Sequence, residues 1–279
     1  MKRYTLHFST LGLVSCILVL AFGIFWVLST REFQSHDTPM AAVAEASEEI
    51  PVPAPTFPYI EIVGSCGPHF EGDCVVARAG PGNEFASVSR LRNGVVLKTS
   101  DEIETDGHVW YKVSFDEDIR YPERVARTWW VAGEYARPFL DTGEEALVAG
   151  ESASSTKHII VDRGSQMLYA YDGDTLFMET KVSTGLEMTP TPRGTFTVFK
   201  KTPTRYMQGP LPGISDQYYD LPGVPWDLYF TSEGATIHGA YWHNEFGERW
   251  SHGCVNLPLQ EAQKLYQWAD LGTLVIVRD

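Results

Sequence analysis

The sequence predicts a mostly-β protein: an N-terminal transmembrane helix, a small all-β module, and a second β-rich domain with one C-terminal amphipathic helix. Three observations carry this expectation. Short runs rich in Val, Ile, Tyr, Phe and Trp recur along the chain, several alternating with polar residues at period two, with Gly, Pro and Asn at the breaks between them. Near the C-terminus, Leu259, Ala262, Leu265, Tyr266 and Ala269 fall instead on one helical face. At the other end, the only polar side chain from Leu11 to Leu28 is Ser15.

That first run rises about 27 Å as a helix, close to a bilayer core. Lys2 and Arg3 precede it, which orients the N-terminus toward the cytoplasm and the rest outside. Ser29-Thr30-Arg31-Glu32 offers no small-x-small cleavage site, so residues 1–30 read as an uncleaved anchor, with a cleaved signal as the alternative. Residues 31–58 read as a linker. An Ala-rich stretch gives way to Pro51, Pro53, Pro55 and Pro58, an extended semi-rigid spacer.

Residues 59–139 read as the small β module. Val75 to Arg78 is a short strand, Ala79-Gly80-Pro81-Gly82-Asn83 a turn, and Val95 to Leu97 follows the turn at Asn93-Gly94. Trp110 to Phe115 alternates, and Trp129-Trp130-Val131 closes the set, with core packing the expectation for the two tryptophans. Residues 140–156 are acidic, small and polar, a second linker.

Residues 157–279 form the second domain. Ile159 to Val161, Met167 to Tyr171 and Leu176 to Ser183 read as a meander with turns at Arg163-Gly164 and Asp172-Gly173. Thr195 to Phe199, Trp226 to Phe230, Ala235 to His238 and Thr273 to Val277 read as further strands. Between them, residues 203–225 crowd together four prolines before Pro225 and three glycines, which reads as a long loop, a lid over a site, or else a disordered insertion.

Length and charge bound the function. A chain of 279 residues holds one to three domains. Its net charge of −14 argues against a general affinity for nucleic acid. Of 4 cysteines, Cys16 lies in the apolar run. Cys66 and Cys74 are close enough to pair, the alternative being two reduced, buried thiols. Cys254 is then an odd thiol outside the cytoplasm, where reactivity is to be suspected.

The chemistry centres on Cys254. A thiol acts as its thiolate and needs a base or a positive neighbour. His252 stands two residues before it and His238 sixteen before it. Gly239 and Gly253 remove side-chain bulk beside those histidines, where a substrate backbone can come close. Cysteine with histidine is a pairing used for acyl transfer.

Two resemblances add to this reading. Arg78-Ala79-Gly80-Pro81, Asn93-Gly94-Val95-Val96-Leu97, Trp110-Tyr111-Lys112-Val113 and Trp130-Val131 make residues 59–139 resemble a bacterial SH3-like (SH3b) barrel, a module that binds cell-wall peptides or acts as a spacer. Thr191-Pro192-Arg193-Gly194-Thr195-Phe196, Ile237-His238-Gly239 and Ser251-His252-Gly253-Cys254-Val255-Asn256 make residues 157–279 resemble the YkuD-type L,D-transpeptidase catalytic domain, with a β-sandwich-like fold. Asn256 stands where many members of that family carry Arg.

The second resemblance implies Cys254 as nucleophile and His238 as its general base, the imidazole oriented by the Gly239 carbonyl. His252 and Ser251 shape the pocket, and Asn256 holds the loop or a substrate group. The Cys254 amide, with Tyr219 or Tyr218 from the lid, would form an oxyanion hole. The implied reaction joins peptidoglycan stem peptides by 3→3 cross-links through a cysteinyl thioester. It needs no cofactor and no metal, takes place in the bacterial cell envelope, and would be sensitive to carbapenems. Oligomeric state stays open. The alternatives are an L,D-carboxypeptidase, a zinc hydrolase using His238, His243, His252 and Cys254, and a non-catalytic wall-binding protein.

Overall fold

Strand-forming runs separated by Gly- and Pro-rich breaks fold into three β-sheets. The structure is a computed structural model that describes residues 54–117, 119–148, 155–213 and 215–279. The first sheet gathers β1 (Phe57–Ile62), β2 (Val75–Arg78), β3 (Ser87–Leu91), β4 (Val96–Thr105), β5 (His108–Val113), β6 (Trp130–Ala132) and β7 (Ala136–Asp141). Its order is β3-β2-β6-β5-β4-β1-β7, all antiparallel. Cys66 and Cys74 are joined by a disulfide ahead of β2. Closing so short a loop restricts the unfolded chain, so the double variant Cys66→Ser/Cys74→Ser is expected to lose about 2–3 kcal/mol in urea denaturation. An unchanged midpoint would show that the link adds nothing.

The second sheet, in the order β11-β10-β9-β17-β12, is built from β9 (Lys157–Asp162), β10 (Met167–Asp172), β11 (Thr175–Lys181), β12 (Gly194–Thr197) and β17 (Leu274–Arg278). The third, in the order β16-β15-β14-β13-β8, holds β8 (Glu145–Ala146), β13 (Lys200–Gln208), β14 (Asp220–Tyr229), β15 (Thr236–Gly239) and β16 (Val255–Leu257). Helix α1 (Leu259–Trp268) turns Ala262, Leu265 and Tyr266 inward against β14 and β15. Both sheets and the helix share one core, in which Ile159, Leu168, Leu228, Ile237, Val255 and Leu265 are buried. Each such side chain contributes roughly 1.5–3 kcal/mol by leaving water.

Residues Pro53–Asp279 form one unit, because the first sheet and the rest exchange core residues. Val224 and Tyr241 pack among Ile60, Leu97 and Val131, while Tyr59 and Val96 enter the other core. Gly223 sits at this seam with φ +63°, and a Cβ there would stand 2.3 Å from the Val96 carbonyl oxygen. Gly223→Ala is therefore expected to cost about 2–4 kcal/mol, from strain and from forcing two backbones apart. A loss within ~0.5 kcal/mol would contradict that account.

The structure corrects the reading of residues 203–225 as a long loop. Most of the stretch is the β13–β14 hairpin, and only 209–219 connects the strands. Its prolines are tolerated because pairing is one-sided there: β8 meets β13 only at Lys200 and Lys201, and β15 meets β14 only at Leu228 and Tyr229. Residues assigned to linkers are also built in. Phe57 and Pro58 begin β1, and Glu145–Ala146 form β8. Trp129 is buried against Phe115 and Tyr206, whereas Trp130 is half-exposed. Among the described residues no helix is long and apolar enough to cross a membrane. The anchor read over residues 1–30, and most of the linker 31–58, lie outside the described residues.

Candidate active site

Strand register decides which side chains meet. β15 and β16 run parallel, with Ile237 opposite Val255 and His238 opposite Asn256. β14 lies antiparallel on the other side of β15, with Leu228 opposite Ile237 and Tyr229 opposite Thr236. Leu228, Ile237 and Val255 face the shared core. Side chains alternate along a strand, so Asp227, Thr236, His238, Cys254 and Asn256 point to the opposite face together.

His238 is 1% exposed, and its Nδ1 donates to the Gly239 carbonyl at 2.9 Å. That bond leaves Nε2 as the lone-pair nitrogen. Burial holds the imidazole below its ordinary pKa, against the opposing pull of Asp227, so it is a neutral base. Trp242 packs on the ring at 5.7 Å between centroids. Cys254 is a free, half-buried thiol. The Thr236 hydroxyl lies 3.8 Å from its Sγ and donates to Asp227 Oδ1 at 3.2 Å.

The loop that presents the thiol is fixed by its own carbonyl. Ser251 Oγ donates to the Cys254 carbonyl at 2.5 Å, and Thr191 Oγ1 does so at 3.3 Å while accepting the Gly185 N–H. Gly253, at φ +121°, makes the turn between them, a backbone geometry that disfavours any side chain. The Cys254 N–H has no acceptor among the described residues. His252 is half-buried and stacks on Tyr219, centroids 6.0 Å apart, and burial lowers its pKa. Tyr218 does not join them; it is exposed beneath Arg124. The segment carrying Tyr219 is gripped from the first sheet's side, with Arg124 donating to the Tyr219 and Gly209 carbonyls at 3.2 and 3.0 Å. It is a held loop rather than a free lid.

Asn256 is buried behind the site, its amide 2.8 Å from His243 Nε2. His243 Nδ1 accepts the Glu245 N–H, so the neutral ring carries its proton on Nε2. Placing the Asn256 oxygen there gives Oδ1 the partner it otherwise lacks. Burial, and then the nearby His238, push His243 down to about 4. His243 is thus a neutral support for the loop. Among the described residues no group of three or more His, Cys, Asp or Glu is placed to hold a metal ion.

The structure brings Cys254, His238, Gly239, Ser251, Gly253, Asn256, His252 and Tyr219 into one region. Sequence reasoning missed Asp227, Thr236 and the tie from Thr191 to Cys254. Asp227 had a signal: one carboxylate inside the apolar run Val224-Pro225-Trp226-Asp227-Leu228-Tyr229-Phe230. Thr191 lies in a motif already noted, but its hydroxyl's partner is 63 residues away.

Residues 156–277 match the family model of YkuD, the L,D-transpeptidase catalytic domain. Probable L,D-transpeptidase 3 of Mycobacterium tuberculosis is 35% identical over 95 residues, 32% of this chain and 35% of that protein. The chain therefore spans about a third of that curated relative. Among solved structures, an L,D-transpeptidase from Mycobacterium smegmatis aligns with TM-score 0.43 and 22% identity over 62% of this chain and 91% of that one. The catalytic domain of the E. faecium L,D-transpeptidase aligns with TM-score 0.39 and 27% identity over 46% and 100%. Residues 156–277 are thus homologous to L,D-transpeptidase catalytic domains.

Proposed function

We propose that this protein is a cysteine-dependent L,D-transpeptidase that forms 3→3 cross-links between peptidoglycan stem peptides. The observation that carries the reading is the half-buried Cys254 thiol on one sheet face with a buried, neutral His238, whose Nδ1 is committed to Gly239. His238 takes the thiol proton on Nε2. The thiolate attacks the carbonyl of residue three of a tetrapeptide stem, and the terminal D-alanine leaves with a proton. The thioester then passes to the side-chain amine of residue three on a second stem, and the thiol is restored. The Cys254 N–H, free of an acceptor among the described residues, is one donor for the developing oxyanion, where a fixed donor contributes about 3–4 kcal/mol. Tyr219 and His252 form the wall on the substrate side.

On this reading the apolar run over residues 1–30 anchors the protein with its catalytic domain in the cell envelope. Residues 59–139 are an SH3-like module, a spacer or a holder of wall peptide. The test is incubation of the purified protein with disaccharide-tetrapeptide, with products read by mass spectrometry. A cross-linked dimer with D-alanine released supports the proposal. Tripeptide alone makes the protein an L,D-carboxypeptidase, and unchanged substrate leaves either a demand for another substrate or a wall-binding protein.

A further inference from the structure

Asp227 is a carboxylic acid in the wrong place for a structural residue. It is fully buried in β14, among core strands, where an unpaired charge is costly. One oxygen accepts the Thr236 hydroxyl at 3.2 Å; the other, Oδ2, has no partner among the described residues. A side chain serving only the fold would be better as an apolar residue, or would have both oxygens bonded. The β14–β15 register places Asp227 one pair beyond Leu228–Ile237, opposite His238. Thr236 links the carboxylate to the nucleophile, since its hydroxyl also lies 3.8 Å from Cys254 Sγ.

We infer that Asp227 is a positioning residue for the Cys254–His238 pair, its buried carboxylate standing behind the imidazole as the counter-charge that favours transfer of the thiol proton to His238. The inference rests on the proposed cysteine chemistry but names a group outside every motif noted above. The proton leaves Sγ for Nε2, the Nδ1–H stays on the Gly239 carbonyl, and the imidazolium that results faces a fixed negative charge instead of bare apolar surroundings. In a buried site that compensation is stronger than in water.

The groups around Asp227 are His238 and Thr236 on β15, Cys254 before β16, Arg205 on β13 and Tyr229 on its own strand. Arg205 donates to the Gly234 carbonyl at 3.2 Å and lies under the Tyr229 ring, 5.2 Å from its centroid. Beyond it, Glu117 accepts the Tyr206 N–H at 2.7 Å, and burial raises its pKa to about 7. Burial likewise pushes Asp227 up to about 7, with His238 and then Arg205 pulling the other way. The sign follows. Below that pH the acid is neutral and gives His238 nothing; above it the carboxylate is present.

The experiment measures alkylation of Cys254 by iodoacetamide from pH 6 to 10 in the full-length protein and in Asp227→Asn, His238→Gln and the double variant. No peptide substrate is needed. At pH 8 Asp227→Asn is expected to react about tenfold more slowly than wild type, the equivalent of one unit in the imidazole pKa. The gap should close at pH 6, where Asp227 is protonated. It should close again near pH 10, where an ordinary thiol ionises unaided. In the His238→Gln background, Asp227→Asn should add no further loss, because the carboxylate acts through the imidazole. Thermal denaturation confirms that each variant is folded. Asp227→Ser, which leaves room for a water, replaces the Asn variant if that one is not. A rate loss equal at every pH, or one that persists without His238, makes Asp227 structural and overturns the inference. No loss at all does the same. A wild-type thiol whose reactivity is unaffected by His238→Gln would instead overturn the proposed function.

Discussion

Cys254→Ala is expected to take up no acyl group and to form no cross-linked dimer. The thiol is the only free cysteine among the described residues, and it sits where its register puts it on the His238 face. Removing a covalent nucleophile leaves only binding and oxyanion stabilisation, so turnover is expected to fall by about 10⁴-fold or more. Incubation with a carbapenem followed by intact-protein mass spectrometry reads this without ambiguity. Wild type gains the mass of the drug, and the variant does not. The Ala side chain is smaller by one sulfur in a half-buried position, so the denaturation midpoint should barely move. An adduct on the variant would place the acylated residue elsewhere and discard the mechanism.

The second large effect belongs to His238. His238→Ala is expected to slow acylation at pH 7 by about 10²–10⁴-fold, the usual range for loss of a positioned general base. The protein is expected to stay folded, because the ring's one polar bond among the described residues is to the adjacent Gly239 carbonyl. His238→Gln, closer in volume, should show the same loss and so separates the lost base from the cavity that Ala leaves. Raising the pH should recover much of the rate in both variants, since hydroxide then ionises the thiol without a base. Acylation at the wild-type rate at neutral pH would remove His238 from the chemistry. A loss that high pH does not restore would mean that the ring shapes the loop rather than taking the proton.

The sequence was informative where meaning is local. Period-two alternation marked β5 and β12, short apolar runs marked β9, β10 and β17, and helical spacing marked α1 with the buried residues Ala262, Leu265 and Tyr266. Ser251 to Asn256 pointed to Cys254 and His252, and Ile237-His238-Gly239 to the second histidine, because a thiol, imidazoles and small residues are chemically legible as residue types. Pro and Gly density misled over residues 203–225. Proline costs a strand only where its missing N–H would have been used, and the one-sided pairing of β13 and β14 cannot be seen from composition.

The tertiary structure alone decided which distant side chains touch. Thr191 holds the Cys254 carbonyl across 63 residues, Arg124 fixes the Tyr219 segment across 95, and Asp227 meets Thr236 only because β14 and β15 pair in one register rather than the next. A shift of one residue would turn Asp227 into the core and Leu228 toward the thiol. The chain's residue types thus supplied a thiol and histidines fit for a nucleophile and a base. Their protonation and aim depend on burial, strand register and the charges behind them, which come into being only when the sheets pack.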